Sequence, residues 1–167
     1  MARLMIVSGG QTGVDRAALD QAIARGITYG GWCPQGGWAE DMPRPPGLLA
    51  KYPDLRETAS RDPAQRTEWN ARDSDACLIL VGGGGVAVSG GTALAEKLAA
   101  QYGKPLLVVD VGAADAAAAQ VRTWLDALLA AHAGEAPFRL AVGGPRESEA
   151  KGIYGKAREI LREILQR

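Results

Sequence analysis

A single histidine, His132, sits near the end of an Ala/Leu-rich stretch, far along the chain from every glycine-rich turn. That scarcity leaves no basis for a Ser-His-Asp or Cys-His catalytic set. Only two cysteines occur, Cys33 and Cys77, with no C-x-x-C spacing. Metal-ligand spacing of His, Cys and carboxylates is also absent, so no structural zinc is expected. Cys77 lies within the apolar run "ACLILV" and reads as a buried thiol, and two such cysteines point to a reducing compartment. Neither charge is in excess, with 19 basic and 19 acidic residues. A general nucleic-acid binder would show a basic surplus, so nucleic acid is not an expected partner. No apolar run approaches the ~20 residues that a membrane span needs. The N-terminus enters a strand-like run with no signal-peptide pattern. The expectation is a cytoplasmic protein with no membrane partner.

A chain of 167 residues implies one domain over positions 1–167 and a core that needs no staples. Four apolar runs have strand length: Leu4–Val7, Cys77–Val81, Leu106–Val109 and Phe138–Val142. The first three are continuous, as strands buried on both faces of a parallel sheet should be. Ile27–Cys33 is a fifth candidate, interrupted by Gly30 and Gly31. Helical patterns alternate with these runs. Val14–Arg25 is closed by Gly26, Asp62-Pro63 opens the next, and Thr92–Tyr102 is closed by Gly103. Val121, Trp124, Leu125, Leu128 and Leu129 share one helix face, as do Ala157, Ile160, Leu161, Ile164 and Leu165. The implied fold is an α/β doubly wound sheet flanked by helices. Pro34–Pro53 has no periodicity, and a compact domain rarely keeps so long an irregular segment without a use for it.

Ligands of such sheets bind beyond the carboxyl ends of the strands, so three strand-end turns are the candidate site. The first, "SGGQTGVD", contains Gly9, Gly10, Gln11, Thr12 and Gly13. It is neither a G-x-G-x-x-G nor a P-loop. Thr12 and Asp15 have capping-box spacing, while the glycines suit close approach to an anion at a helix start. The second turn follows Gly82–Gly85 and holds Ser89, Gly90, Gly91 and Thr92, which serve equally as a helix cap or as an anion cradle. The third, "GGPRES", supplies Arg146, Glu147 and Ser148, with Arg146 suited to a bidentate phosphate or carboxylate contact. Arg66, Asn70 and Asp73 share one helix face. General acid–base work would fall to Asp15, Asp73, Glu96 or Glu147, none of them paired for it. A binding protein is expected rather than an enzyme.

Together the motifs "GGQTGVDRAALD", "GWCPQG…AED", "QRTEWNARDSDACLIL", "SGGTALAEKLA…GKPLLVVD" and "GGPRESEAKGIYGKA" resemble the molybdenum carrier family. That family is related to the molybdenum-cofactor carrier proteins and, more distantly, to lysine-decarboxylase-like and LOG-like Rossmann proteins. The resemblance runs from about Leu4 to about Leu161. It implies a Rossmann-like fold, a homo-oligomer (dimer or tetramer), and binding of the molybdenum cofactor (molybdopterin) or a related phosphorylated, anionic ligand. A molybdoenzyme or a cofactor-biosynthesis protein is the implied partner. By motif, the implied cofactor-binding residues are Gly9, Gly10, Gln11, Thr12, Gly13, Asn70, Asp73, Ser89, Gly90, Gly91, Thr92, Arg146, Glu147 and Ser148. Relatives commonly carry basic residues before "AED", where this chain has Gln35, Gly36, Gly37 and Trp38. An alternative is a LOG-like nucleoside-monophosphate phosphoribohydrolase. Its P-G-G-x-G-T-x-x-E motif sets Glu three after Thr, whereas Glu96 follows Thr92 by four. A nucleotide-sensing Rossmann-like domain is a third expectation.

Overall fold

The computed structural model describes residues 3–166. Its main sheet has five parallel strands: β1 (Leu4–Val7), β2 (Thr28–Gly30), β5 (Ala76–Val81), β6 (Leu106–Asp110) and β7 (Phe138–Gly143), in the order β2-β1-β7-β5-β6. The last strand of the chain thus fills the middle of the sheet. It is in register with β1 through Ile6–Leu140 and with β5 through Cys77–Ala141. β5 is buried along its whole length, as its unbroken apolar run anticipates. β7 alternates instead, with Arg139 exposed.

The two faces of the sheet are unequal. Ile6, Leu78, Leu80, Leu140 and Val142 point to one side. There they form the main core with α1 (Val14–Ala24), α5 (Ala114–Ala131) and α6 (Ile153–Ile164). Each fully buried Leu or Ile in it contributes about 1.5–3 kcal/mol. On the other side Cys77 and Ala141 meet Ala71 of α3 (Pro63–Arg72) and Leu98 and Ala99 of α4 (Gly90–Gln101). Apart from Leu98 these side chains are small, and α3 and α4 do not fill the space above them. A cleft opens there.

Local chemistry sets the helix ends. The Asp62 carboxylate accepts the Ala64 amide, with Pro63 as the first helical residue. Ser89 Oγ accepts the Thr92 amide at 3.2 Å. The capping box expected of Thr12 and Asp15 is not formed: Gly13, at φ 80°, is the N-cap of α1 and has no side chain to cap with. Ile27–Cys33 is not one strand either. Gly31, at φ 122°, breaks it, and β3 (Trp32–Cys33) pairs with β4 (Arg56–Glu57) in a separate two-stranded sheet. The segment between them carries a short helix, α2 (Leu48–Lys51). It builds a satellite core in which Ala39, Leu48, Tyr52 and Leu55 pack on Cys33 and Leu19.

Candidate functional site

The carboxyl ends of β1, β5 and β7 open onto a cleft of about 310 Å³ between the sheet and α3/α4, a volume at the small end of ligand pockets. All three glycine-rich turns reach it. Its wall includes Gly9 and Gln11 from the first, Ser89, Gly90, Gly91 and Thr92 from the second, and Arg146 from the third. Asn70 also lines it. Gly10, Thr12, Gly13, Asp73, Glu147 and Ser148 are not among the lining residues.

The glycines of the first two turns sit in different surroundings. A Cβ on Gly9 would strike the Arg66 guanidinium, and one on Gly13 would strike the Pro145 carbonyl. At these two positions the chain approaches itself closely, and Gly9 lines the cleft as well. Gly90 and Gly91 differ. A Cβ would meet nothing within 4 Å at Gly90, and only Ser89 Oγ at 4.0 Å at Gly91. They flank open space at the start of α4, where the first backbone N–H groups of a helix have no partner within it.

Two buried polar atoms in the wall have no hydrogen-bond partner among the described residues, Thr92 Oγ1 and Arg66 Nε. Thr92 is only 3% exposed, and a buried hydroxyl without a partner costs about 1–3 kcal/mol. Arg66 Nη1 meets Asp15 Oδ2 at 3.3 Å, with the side chains 14% and 6% exposed. Burial raises the Asp15 carboxyl above its ordinary range, and Arg66 and the backbone N–H groups of Gly144 and Gln11 offset only part of that. Cys77 also lines the cleft. It is a free thiol 3.7 Å from Ser74 Oγ, and burial holds its pKa up.

Asn70 and Asp73 are both tied to Trp32. Asn70 Oδ1 accepts the Trp32 amide at 2.7 Å, and Asn70 Nδ2 donates to its carbonyl at 2.9 Å. Asp73 accepts the Trp32 indole N–H at 2.9 Å and pairs with Arg72.

Around the cleft mouth Glu40 joins three loops. It accepts from Thr12 Oγ1, from Ser148 Oγ at 2.7 Å and from the Ser148 amide at 3.4 Å, and Arg146 lies 3.9 Å away. Gln11 Oε1 accepts the Glu40 amide. Beside it, Arg16 makes a bidentate pair with Asp41 at 2.8 and 2.9 Å and donates to the Gly10 carbonyl. Glu147 accepts the Gly152 and Tyr154 amides and so caps α6. Arg146 stands over the Trp38 ring, 5.7 Å from its centre. Sequence reasoning left Arg66, Glu40 and Cys77 out of the binding set, because their neighbours are distant in the chain. Only the "AED" motif marked Glu40. Among the described residues, no group of three or more His, Cys, Asp or Glu could hold a metal ion, and no helix is long and apolar enough to cross a membrane.

Strand order, faces and cleft position define a Rossmann-like α/β protein. The sequence matches the Circularly permutated YpsA SLOG family over residues 6–165. The chain belongs to that family. Among solved structures it is similar to the crystal structure of a "Putative molybdenum carrier protein" from Syntrophus aciditrophicus SB. The two are 38% identical, over 99% of this chain and 96% of that one, with a TM-score of 0.83. The chain is thus molybdenum carrier-like. No curated protein matches it.

Proposed function

We propose that the protein is a carrier that holds the molybdenum cofactor, or a related phosphorylated pterin-type ligand, without reacting it. The observation that carries this reading is Thr92 Oγ1, buried and unpartnered in the cleft wall at the start of α4. A phosphate oxygen there would satisfy the hydroxyl and the leading α4 amides, and would lie at the positive end of the helix dipole. Gly90 and Gly91 leave the space for it. Arg66, with Nε unpartnered among the described residues, and Arg146, which has contacts of 3.9 and 4.0 Å to Glu40 and Glu149 and stands over the Trp38 ring, supply positive charge. The apolar wall of Val7, Ile79 and Leu94 suits the ligand body.

Carriage is favoured over base hydrolysis because Glu96 is not among the described residues lining the cleft. A homo-oligomer in the cytoplasm, handing its ligand to a molybdoenzyme or taking it from a cofactor-biosynthesis protein, completes the proposal. To test it, purified protein is denatured and the released small molecules and metal are identified by mass spectrometry. Recovery of a phosphorylated pterin with molybdenum is expected. Release of no phosphorylated compound, together with no binding of the cofactor at millimolar concentration, would contradict the proposal. Release of free adenine on incubation with AMP would favour the phosphoribohydrolase.

A further inference from the structure

A second groove of about 420 Å³ lies at the cleft mouth, lined by Trp38, Pro43, Pro45, Pro63, Arg61 and Gln35 with Gly36. Two features join it to the cleft. Pro63 belongs to both walls, and Arg146 of the cleft stands over the Trp38 ring. Trp38 is half-buried, yet the chain on either side of it is pinned. Gly37, at φ 67°, packs against the backbone of Pro46 and Leu48, so that a side chain there would collide. Ala39 is fully buried, and Glu40 and Asp41 are tied to other loops. The indole is therefore held at the surface by fixed neighbours, in a groove to which three prolines also contribute. Arg61 has no hydrogen bond or ion pair among the described residues.

We propose that this groove is a subsite for the flat, nitrogen-containing bicyclic ring of a ligand whose phosphate sits at Thr92, an inference that rests on the phosphate reading above. Proline and indole faces stack on a planar ring and exclude water from it. Arg61 suits a ring edge bearing adjacent oxygen and nitrogen acceptors, the pattern that arginine grips bidentately in guanine. Oxidised pterins carry the same edge at O4 and N5, and adenine places an amino donor there instead. A ring held by pinned walls loses little affinity to ordering the protein.

The experiment is isothermal titration of the full chain with four probes: ribose 5-phosphate, AMP, GMP and a phosphorylated pterin. The wild type should bind GMP and the pterin about tenfold more tightly than ribose 5-phosphate, the factor one ring stack supplies. Trp38→Ala should abolish that difference and leave ribose 5-phosphate binding intact, and Trp38→Phe should keep part of it. Arg61→Gln should remove the preference for GMP over AMP. Whichever of GMP and the pterin binds more tightly names the source of the ring, and either result supports the subsite. Equal binding of ring-bearing and ring-free phosphates overturns the subsite and leaves the phosphate reading standing. So does a Trp38→Ala protein that keeps the ring preference or loses ribose 5-phosphate as well. Failure of all four probes on the wild type overturns both.

Discussion

Arg66 of α3 reaches across the cleft to Asp15 in the first turn of α1, with Nη1 3.3 Å from Oδ2. The pair joins two elements 51 residues apart in sequence, one on each face of the sheet. Both side chains are largely buried, so each offsets part of the other's desolvation, and burial still leaves the Asp15 carboxyl raised.

Removing one partner should therefore cost more than removing both. Arg66→Met is expected to lose about 3–5 kcal/mol, the usual result of stranding a buried charge. Adding Asp15→Asn should restore much of that loss. Urea denaturation of the two single variants and the double variant measures the coupling.

Two carboxyls should give pH dependences of opposite sign. Asp15 is raised by burial in the folded state, so the folded protein keeps its proton to higher pH than the unfolded chain does. Its contribution to stability is greatest at low pH and declines as pH rises through the raised value, and Asp15→Asn should flatten that slope. Glu40 is pushed upward first by burial, but hydrogen bonds from Thr12 and Ser148 and the nearby Arg146 leave it below its usual value. Its contribution is present above the ordinary glutamate range of about 4.3 and is lost as pH falls through the lowered value. Below about pH 4 the 34–53 segment should loosen, seen as faster proteolysis there. Glu40→Gln should show the same loosening at neutral pH.

Asn70 is assigned to holding Trp32. Asn70→Ala strands both the amide and the carbonyl of Trp32 and should cost about 2–3 kcal/mol in chemical denaturation. Asn70→Asp keeps the acceptor for the Trp32 amide and sets a carboxylate against its carbonyl, so it should also destabilise.

The glycines should separate into two classes. Gly13→Ala places a methyl against the Pro145 carbonyl at φ 80° and should cost more than about 1 kcal/mol, measurable as a large drop in Tm. Gly90→Ala meets open space and should stabilise α4 by a few tenths to about 1 kcal/mol, while weakening any anion bound at the helix start. Thermal melts paired with phosphate titration distinguish the two.

Much of this architecture was legible in the sequence, because strand burial and helix amphipathicity are local patterns. "ACLILV" announced β5, the Asp62-Pro63 pair announced α3, and Ser89 announced the cap of α4. Three things were not legible. Strand order was hidden, since nothing local places the last strand in the middle of the sheet. The Thr12/Asp15 spacing suggested a cap, but Gly13 takes the N-cap position and both side chains turn to distant partners, Glu40 and Arg66. The aperiodic stretch after Cys33 hid a satellite core whose contacts with Leu19 span the chain. In the cleft, the three turns were readable as glycine-rich strand ends. Their division into loop-fastening residues and cleft-lining residues depended on long-range contacts.

The central claim is that Thr92 Oγ1 awaits a ligand oxygen, and Thr92→Val tests it most directly. The substitution keeps the shape and removes a buried hydroxyl that has no partner among the described residues. Isothermal titration with a phosphorylated pterin and urea denaturation of the same two proteins give the answer together. Affinity should fall about tenfold, the loss of a hydrogen bond to a charged group, while the unliganded protein gains about 1 kcal/mol of stability. Unchanged affinity with unchanged or lower stability would mean that the hydroxyl serves the fold alone, and would contradict the account.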